Sequence, residues 1–161
     1  MSTTTQLYYA MVASPLGDVL LVGNQIGLTY INFQAGTNRL EIQPAWEKNE
    51  VVLQAAIEQI EDYFAGKRKV FDLPLAPRGT LFQQQVWEAV GNIPFGETAS
   101  YGGIAGKIGR KKAARAVGAA NGQNPLPIII PCHRVIGSNG KLTGYGGGLQ
   151  LKKWLLAHES K

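Results

Sequence analysis

Cysteine and histidine are both scarce in this chain of 161 residues. Cys132 is the single cysteine, so an intramolecular disulfide and a zinc site built from several cysteines are excluded. The two histidines, His133 and His158, leave few other metal ligands, and we therefore expect no metal and no cofactor. A free thiol is typical of proteins from a reducing compartment.

Long apolar runs are missing as well. No segment approaches the roughly 20 residues that cross a bilayer, and residues 1–5 lack the basic stretch and apolar core of a secretory signal. We expect a protein without membrane association that lies in the cytoplasm, or in the nucleus if the cell is eukaryotic. The hydrophobic fraction of 45% and the charged fraction of 17% are ordinary for a globular protein.

Acidic residues are scarce only in the second half of the chain. Residues 78–161 contain eleven lysines and arginines against three acids, a net charge of +8, whereas residues 1–77 have a net charge of −3. This asymmetry predicts two domains, 1–77 and 78–161, joined near the proline-rich segment 74–79. A strongly basic domain is typical of proteins that bind polyanions. A solvated lysine-rich surface gives the same composition and is the alternative interpretation.

The first half has the pattern of a small α+β module. Strand-like segments cover residues 7–13, 19–23 and 28–33, and residues 34–49 show no clear period. Apolar residues repeat at spacings of three and four over 52–65, which predicts a helix that ends at Gly66 in a left-handed cap. Residues 70–73 are predicted to return to the sheet. Nothing in this half points to catalysis.

The second half has the pattern of a helical domain. Thr80 and Gln83 form a capping box for a first helix, and Ser100 is a cap for a short helix over 101–108. A second short helix over 112–121 follows a glycine break, so the pair predicts a helix-turn-helix, although many helical hairpins look alike. A buried strand or extended segment over 128–130, a hairpin of 134–136 with 141–145 as a wing, and a last helix over 149–159 complete the expected order. The overall class is α+β.

The helix over 112–121 is almost free of bulky side chains. Small residues let a helix backbone approach another surface closely, and basic residues at its N-terminal end add to the partial positive charge there. The candidate DNA contacts of this region are Arg110, Lys111, Lys112, Ala114, Arg115 and Gly118. The alternative is that the alanines pack inside the protein, as Val117 and its neighbours must.

Cys132 follows three isoleucines and Pro131, and His133 and Arg134 come directly after it. A buried cysteine needs no polar neighbour, whereas a histidine and an arginine taken out of water need partners. A thiolate is the nucleophilic form of cysteine, and His133 can serve as the base that produces it. The segment therefore predicts nucleophilic chemistry at the edge of the core.

Several segments together resemble the O6-alkylguanine-DNA alkyltransferase family. They are Arg115-Ala-Val-Gly118, Asn124-Pro125, Ile130-Pro-Cys-His-Arg-Val-Ile136, Gly144-Tyr145, Trp154-Leu-Leu156 and His158-Glu159, in order and without gaps from about residue 80 to residue 159. The pentapeptide Pro-Cys-His-Arg-Val is the most specific part. The resemblance implies a ribonuclease-H-like α/β module over 1–77, followed by a winged helix-turn-helix-like domain over 78–161 that binds DNA and transfers alkyl groups.

The resemblance also assigns roles to individual residues. Cys132 accepts the alkyl group, His133 is the base through a bridging water, and Glu159 orients the imidazole. Tyr101 donates to guanine N3 as charge develops, and Asn124 orders the backbone around the cysteine. The catalytic set is thus Cys132, His133, Glu159, Asn124 and Tyr101.

The implied substrate is O6-alkylguanine, and O4-alkylthymine as well, in double-stranded DNA. The base must be rotated out of the stack, from the minor groove, while Arg115 fills the space that it vacates. The substrate pocket is assigned to Tyr101, Val135, Tyr145, Gly146 and Gly147; Gly146 stands where many members have a small hydroxyl residue or alanine. With no second cysteine or cofactor to remove the alkyl group, one reaction per molecule is predicted. We expect a monomer, and cooperative binding along DNA stays open.

Three other functions compete with this prediction. A module that binds alkylated bases without removing them would not need Cys132. A helix-turn-helix regulator of this family would carry a further sensor domain and a cysteine quartet. A cysteine hydrolase would need a peptide cleft, for which the glycine-rich, basic surroundings give no sign. Arg134 has two interpretations, a phosphate contact or a partner for nearby carbonyls.

Overall fold

The structure is a computed structural model that describes residues 6–142, Tyr145 and residues 148–161. The chain divides into two compact units, one ending at Pro77 and the next beginning at Arg78. Within the described residues, no helix is long and apolar enough to cross a membrane.

The first unit is built on a four-stranded sheet with the strand order β3-β2-β1-β4. Its strands are β1 (Tyr8–Ser14), β2 (Gly17–Gly23), β3 (Leu28–Phe33) and the short β4 (Glu47–Lys48). β1, β2 and β3 pair antiparallel, with Ser14 opposite Gly17 at the first hairpin, and β4 lies parallel to β1. Helix α1 (Gln54–Phe64) packs against the sheet through Ala56, Ile60 and Tyr63.

Two details of the first unit differ from the expectation. The aperiodic segment 34–49 contains β4, because Glu47 and Asn49 donate backbone hydrogen bonds to Leu7 and Tyr9 at the open edge of β1. Residues 70–73 are not a strand. The chain instead meets β3 later, where Leu28 donates to Pro74 and Ala76 donates to Leu28.

The second unit is helical, with a small two-stranded sheet. Its helices are α2 (Leu81–Gly91), α3 (Tyr101–Lys107), α4 (Ala114–Gly122) and α5 (Leu149–Glu159), and its strands are β5 (Ala99–Ser100) and β6 (Val135–Ile136). α2, α3 and α4 pack on one another, and α5 packs on a single 3-10 turn at Cys132–Arg134. The mixed α+β class and the helix-turn-helix pair α3–α4 agree with the prediction.

The predicted helix caps are confirmed. The Thr80 hydroxyl accepts from the Gln83 N–H at 3.1 Å while the Gln83 amide oxygen accepts from the Thr80 N–H at 2.9 Å. The Ser100 hydroxyl accepts from the Gly103 N–H at 2.9 Å at the start of α3. Such side chains satisfy backbone donors that the first turn of a helix leaves unpaired.

Three details of the second unit differ. α4 begins at Ala114, so Arg110, Lys111 and Lys112 lie in the turn before it. Residues 128–130 form a turn rather than a strand, because Pro127 and Pro131 flank it and lack N–H donors. β6 pairs in parallel with β5, and no strand occurs at Lys141, Leu142 or Tyr145; the rest of the predicted wing strand, Thr143 and Gly144, lies outside the described residues.

Candidate active site and nucleic-acid interface

The 3-10 turn at Cys132–Arg134 packs on α5 and contributes two functional side chains, Cys132 and His133, while the end of α5 contributes the third, Glu159. Cys132 is 5% exposed, and His133 and Glu159 are 0% and 4% exposed. His133 Nε2 lies 2.7 Å from Glu159 Oε2, a distance typical of a charge-assisted hydrogen bond. The structure therefore brings together a thiol, an imidazole and a carboxylate, which are the three groups that the sequence singled out.

The contact with Glu159 determines which nitrogen of His133 can act as a base. A carboxylate only accepts hydrogen bonds, so His133 donates its Nε2–H, and the neutral ring then has its lone pair on Nδ1. Nδ1 is buried and has no hydrogen-bond partner among the described protein atoms. His133 is thus arranged to take a proton at Nδ1 while Glu159 stabilises the charge that appears.

Burial sets the resting ionisation of the site. It raises the pKa of the Cys132 thiol, although hydrogen bonds from Asn124 and Tyr145 and the charge of Lys152 act in the opposite direction. Burial also lowers the pKa of His133, against the opposing effect of Glu159. Both groups are therefore favoured in their neutral forms at neutral pH, so formation of a thiolate at Cys132 requires a base, and Nδ1 of His133 is available for that role.

Asn124 organises the backbone that leads to the cysteine. Its Nδ2 donates to the Ile130 carbonyl at 2.7 Å, and its Oδ1 accepts from the Leu126 N–H at 2.9 Å. Between these contacts Ile128 has a φ of +77°, a conformation that costs a β-branched residue about 1–2 kcal/mol. The side chain of Asn124 therefore helps to hold a strained turn in the shape that presents Cys132.

Two side chains in the site were not anticipated from the sequence. Lys152 is fully buried, and its Nζ donates to the Val135 carbonyl at 2.7 Å. Asn121 Nδ2 donates to the Cys132 carbonyl at 3.2 Å. A signal for Lys152 existed: with Leu155 and Glu159 it shares one face of α5, at spacings of three and four residues. Asn121 was interpreted only as the end of a helix.

The carbonyl of Val135, assigned to the substrate pocket, already accepts the Lys152 ammonium. A carbonyl oxygen has two lone pairs, so this bond leaves Val135 able to accept a second donor. Tyr145 is described and contributes a hydrogen bond that lowers the pKa of Cys132. Gly146 and Gly147, the other two assigned pocket residues, lie outside the described residues.

Arg134 is an internal partner, not a surface cation. It is 5% exposed, and its guanidinium donates to both Glu159 oxygens and to the Ile93 carbonyl. A group so enclosed is unable to reach a DNA phosphate. The carbonyl-partner interpretation of Arg134 is therefore correct, with Glu159 as an additional partner.

A cavity of about 600 Å³ opens where α3, α4 and the turn after β6 meet. Its lining contains four of the predicted residues and the turn that follows β6: Tyr101, Gly102, Ala114, Arg115, Gly118, Gly137, Ser138 and Asn139. Gly118 matters here, because a Cβ at this position would lie 3.7 Å from the Tyr101 ring. The small residue on α4 thus keeps the space beside Tyr101 open.

The basic turn Arg110–Lys112 lines a second cavity of about 580 Å³ between α3 and α4. All three side chains are exposed, as is Arg115 one turn further along. Arg110 also lies over the Phe82 ring, with 5.6 Å between the guanidinium carbon and the ring centroid. The positive charge predicted for a helix N-terminus is therefore carried by the turn of the helix-turn-helix. Among the described residues, no cluster of His, Cys, Asp or Glu suits a metal ion.

A helix-turn-helix with a basic, exposed turn and a buried Cys–His–Glu set are typical of a protein that binds nucleic acid and reacts through a thiol, and comparison with known proteins gives its family. Residues 7–77 match the 6-O-methylguanine DNA methyltransferase ribonuclease-like domain, and residues 81–161 match the DNA-binding domain of the same family. The chain belongs to the 6-O-methylguanine DNA methyltransferase family.

Individual relatives agree over nearly the whole length. A methylated-DNA–protein-cysteine methyltransferase of Methanosarcina acetivorans is 54% identical, covering 95% of this chain and 98% of the relative. The constitutive enzyme of Bacillus subtilis is 44% identical over 92% and 93%. The crystal structure of Mycobacterium tuberculosis OGT in complex with DNA aligns with a TM-score of 0.88 at 48% identity, covering 95% and 92% of the two chains.

Proposed function

We propose that this protein repairs DNA by transferring the alkyl group of O6-alkylguanine onto Sγ of its own Cys132. The observation that supports this function is the buried His133–Glu159 pair next to the buried Cys132, within the unit that carries the basic helix-turn-helix. A pair of this kind serves an attacking thiol, and the DNA complex solved for the Mycobacterium tuberculosis relative supports DNA as the partner.

The reaction balances without a cofactor. The thiol proton of Cys132 passes to Nδ1 of His133, through an intervening water. The sulfur forms a bond to the alkyl carbon, and the bond from that carbon to O6 breaks. Its electron pair stays on the guanine, which takes up the proton that the thiol lost, by way of His133 and solvent, and remains in the DNA as a neutral base. The thioether on Cys132 is stable, so each molecule reacts once.

Other side chains support the transfer. Tyr101, at the edge of the cavity beside Gly118, donates to the guanine ring as negative charge develops on it. Asn124 keeps Cys132 in its turn, and the Val135 carbonyl uses its second lone pair for the guanine amino group. Rotation of the base out of the duplex costs a few kcal/mol, and Arg115 on the exposed face of α4 compensates by occupying the vacated space from the minor groove.

The remaining assignments extend the same proposal. O4-alkylthymine is a second substrate, because it presents an alkyl ether in a similar position. Residues 1–77 form the ribonuclease-like module and 78–161 the alkyl-transfer domain. The protein works as a monomer in a reducing compartment, the cytoplasm or a nucleus, where its single thiol stays reduced.

The decisive experiment weighs the intact protein after incubation with a duplex containing O6-methylguanine. The wild type should gain the mass of one methyl group in place of one hydrogen, localised to the Cys132 peptide, with one lesion lost per molecule. Cys132→Ser should bind the duplex without any mass gain. Tight lesion binding by the wild type without transfer would instead identify a lesion-recognition protein, and the proposal would be wrong.

A further inference from the structure

Arg134 contacts two separate segments of the second unit, the end of α5 and the segment after α2, although the transfer reaction itself gives this cation no role. Its Nε donates to Glu159 Oε1 at 2.7 Å and its Nη2 to Glu159 Oε2 at 3.0 Å. Its Nη1 donates to the Ile93 carbonyl at 2.6 Å, and its guanidinium carbon lies 5.7 Å from the centroid of the Phe95 ring. The Arg134 side chain therefore links the segment after α2 to Glu159 at the end of α5.

The hydrogen bonds from Arg134 constrain the Glu159 carboxylate. The two parallel N–H donors of Arg134 fix the plane of the carboxylate. Oε2 also accepts from His133 Nε2 at 2.7 Å, and Oε1 accepts from the Gly96 N–H at 3.5 Å. Glu159 is the last residue of α5, where a carboxylate would otherwise rotate freely. The fork of Arg134 removes that freedom and directs one oxygen at the imidazole.

The charges around the imidazole follow from the same contacts. The charged groups that act on His133 are Glu159 and Lys152 from α5 and Arg134 from its own turn. Glu159 raises the pKa of His133, whereas Arg134 and Lys152 lower it, and burial lowers it further. A carboxylate shared with a guanidinium attracts the imidazolium less than a carboxylate that serves His133 alone.

We propose that Arg134 is a positioning residue for alkyl transfer: its guanidinium fixes the orientation of the Glu159 carboxylate and thereby decides how firmly His133 holds the proton taken from Cys132. This inference rests on the proposed function. The two parts of the role, orientation and charge, have separate consequences. Lysine at position 134 keeps the charge but lacks the planar fork, and methionine removes both.

The test is the single-turnover rate of methyl transfer against pH, at a saturating concentration of the methylated duplex. Arg134→Lys should lower the maximum rate, reached at the pH-independent plateau of the profile, roughly tenfold or more, as losing an orienting partner commonly does. The pH at which the rate falls on the acid side, the acid limb, should stay unchanged. Arg134→Met should lower the plateau and move the acid limb to higher pH, because His133 loses a charge that opposes its protonation. Arg78→Met, an exposed arginine of the same unit without an assigned role, is the matched control.

Each contrary result has its own meaning. A folded Arg134→Met protein with the wild-type limb and plateau would overturn the inference. Weaker DNA binding with a reduced salt dependence would overturn it in favour of a phosphate contact. If Arg134→Met does not fold, Arg134→Lys becomes the deciding variant. A wild-type maximum rate in Arg134→Lys would show that the planar guanidinium is not needed to orient the Glu159 carboxylate. Absence of transfer by the wild type would refute the proposed function itself.

Discussion

At the scale of single residues, Lys152 places a positive charge inside the second unit. A lysine that is fully buried needs a reason, because a buried ammonium loses its hydration. Its hydrogen bond to the Val135 carbonyl satisfies one proton, and burial lowers the pKa of Lys152 while the neighbouring Cys132 raises it. The charge is therefore best explained by the thiolate that forms beside it during the reaction.

Replacing Lys152 with methionine should slow methyl transfer roughly tenfold or more and shift the ionisation of Cys132 to higher pH, because the lysine charge lowers the pKa of that thiol. The rate at which iodoacetamide alkylates Cys132, measured from pH 6 to pH 10, reports the ionisation directly. Lys153→Met changes the exposed neighbour on the same helix and should behave as wild type. If the alkylation rate of Cys132 depended on pH in the same way in both variants, Lys152 would not be the charge that lowers the pKa of the thiol.

His133 makes the stability of the protein sensitive to acid. Its pKa lies below the usual 6.5, mainly through burial, so the folded imidazole stays neutral where the unfolded chain becomes protonated. The unfolded state then binds more protons, and the free energy of unfolding falls as the pH drops below about 6.5. Urea denaturation between pH 5 and pH 7.5 should show this fall. His133→Gln should flatten it and His158→Gln should not; an equal slope in both would exclude His133 as its source.

At the scale of elements, the segment between α2 and β5 supports the end of α5. Gly96 has a φ of +80°, and a Cβ there would lie 3.2 Å from the Glu159 carbonyl oxygen. A left-handed conformation costs a residue with a side chain about 1–2 kcal/mol, and the close contact adds to this. The glycine therefore lets the chain pass close to the residue that orients His133.

Gly96→Ala should lower the free energy of unfolding by at least about 1 kcal/mol and slow methyl transfer, because Glu159 must shift to make room. Gly91→Ala is the matched control: it lies at the end of α2, where a Cβ would meet nothing within 4 Å. Chemical denaturation and single-turnover transfer check both effects. Full stability and rate in Gly96→Ala would show that the close approach is unimportant.

Some elements were predictable and others were not, for physical reasons. The caps at Thr80 and Ser100 depend on local hydrogen bonds, so their sequence signals were sufficient. The turn at 128–130 depends on contacts from Asn124, which no apolar pattern reveals. β6 pairs with β5, more than thirty residues earlier in the chain, and a partner so distant has no local signature. The turn predicted at 138–140 is confirmed, since the Gly137 N–H donates to the Lys141 carbonyl at 2.9 Å, whereas no strand follows it at Lys141 or Leu142.

At the scale of the molecule, the sequence located the reacting side chains better than the groups that tune them. Cys132 and His133 stand next to each other, and the resemblance to the family added Glu159. Lys152 is a basic residue in a basic half of the chain, where composition alone predicts exposure, and its burial could be recognised only once α5 was placed against the cysteine turn. For Arg134 the sequence already offered nearby carbonyls as partners, and the structure added Glu159.

The charge asymmetry between the two units gives the last prediction. Residues 78–161 carry a net charge of +8 and residues 1–77 a net charge of −3, so DNA affinity should fall steeply with salt as the basic unit releases counterions from phosphates. Lys111→Gln with Lys112→Gln should weaken binding to damaged and undamaged duplex alike and reduce the slope of log affinity against log salt by up to about 0.9 per lost phosphate contact.

The matched double variant Lys67→Gln with Lys69→Gln removes two exposed lysines from the first unit and should leave the slope unchanged. Fluorescence anisotropy from 50 to 300 mM salt distinguishes them, and equal slopes in the two double variants would show that the turn before α4 does not face DNA.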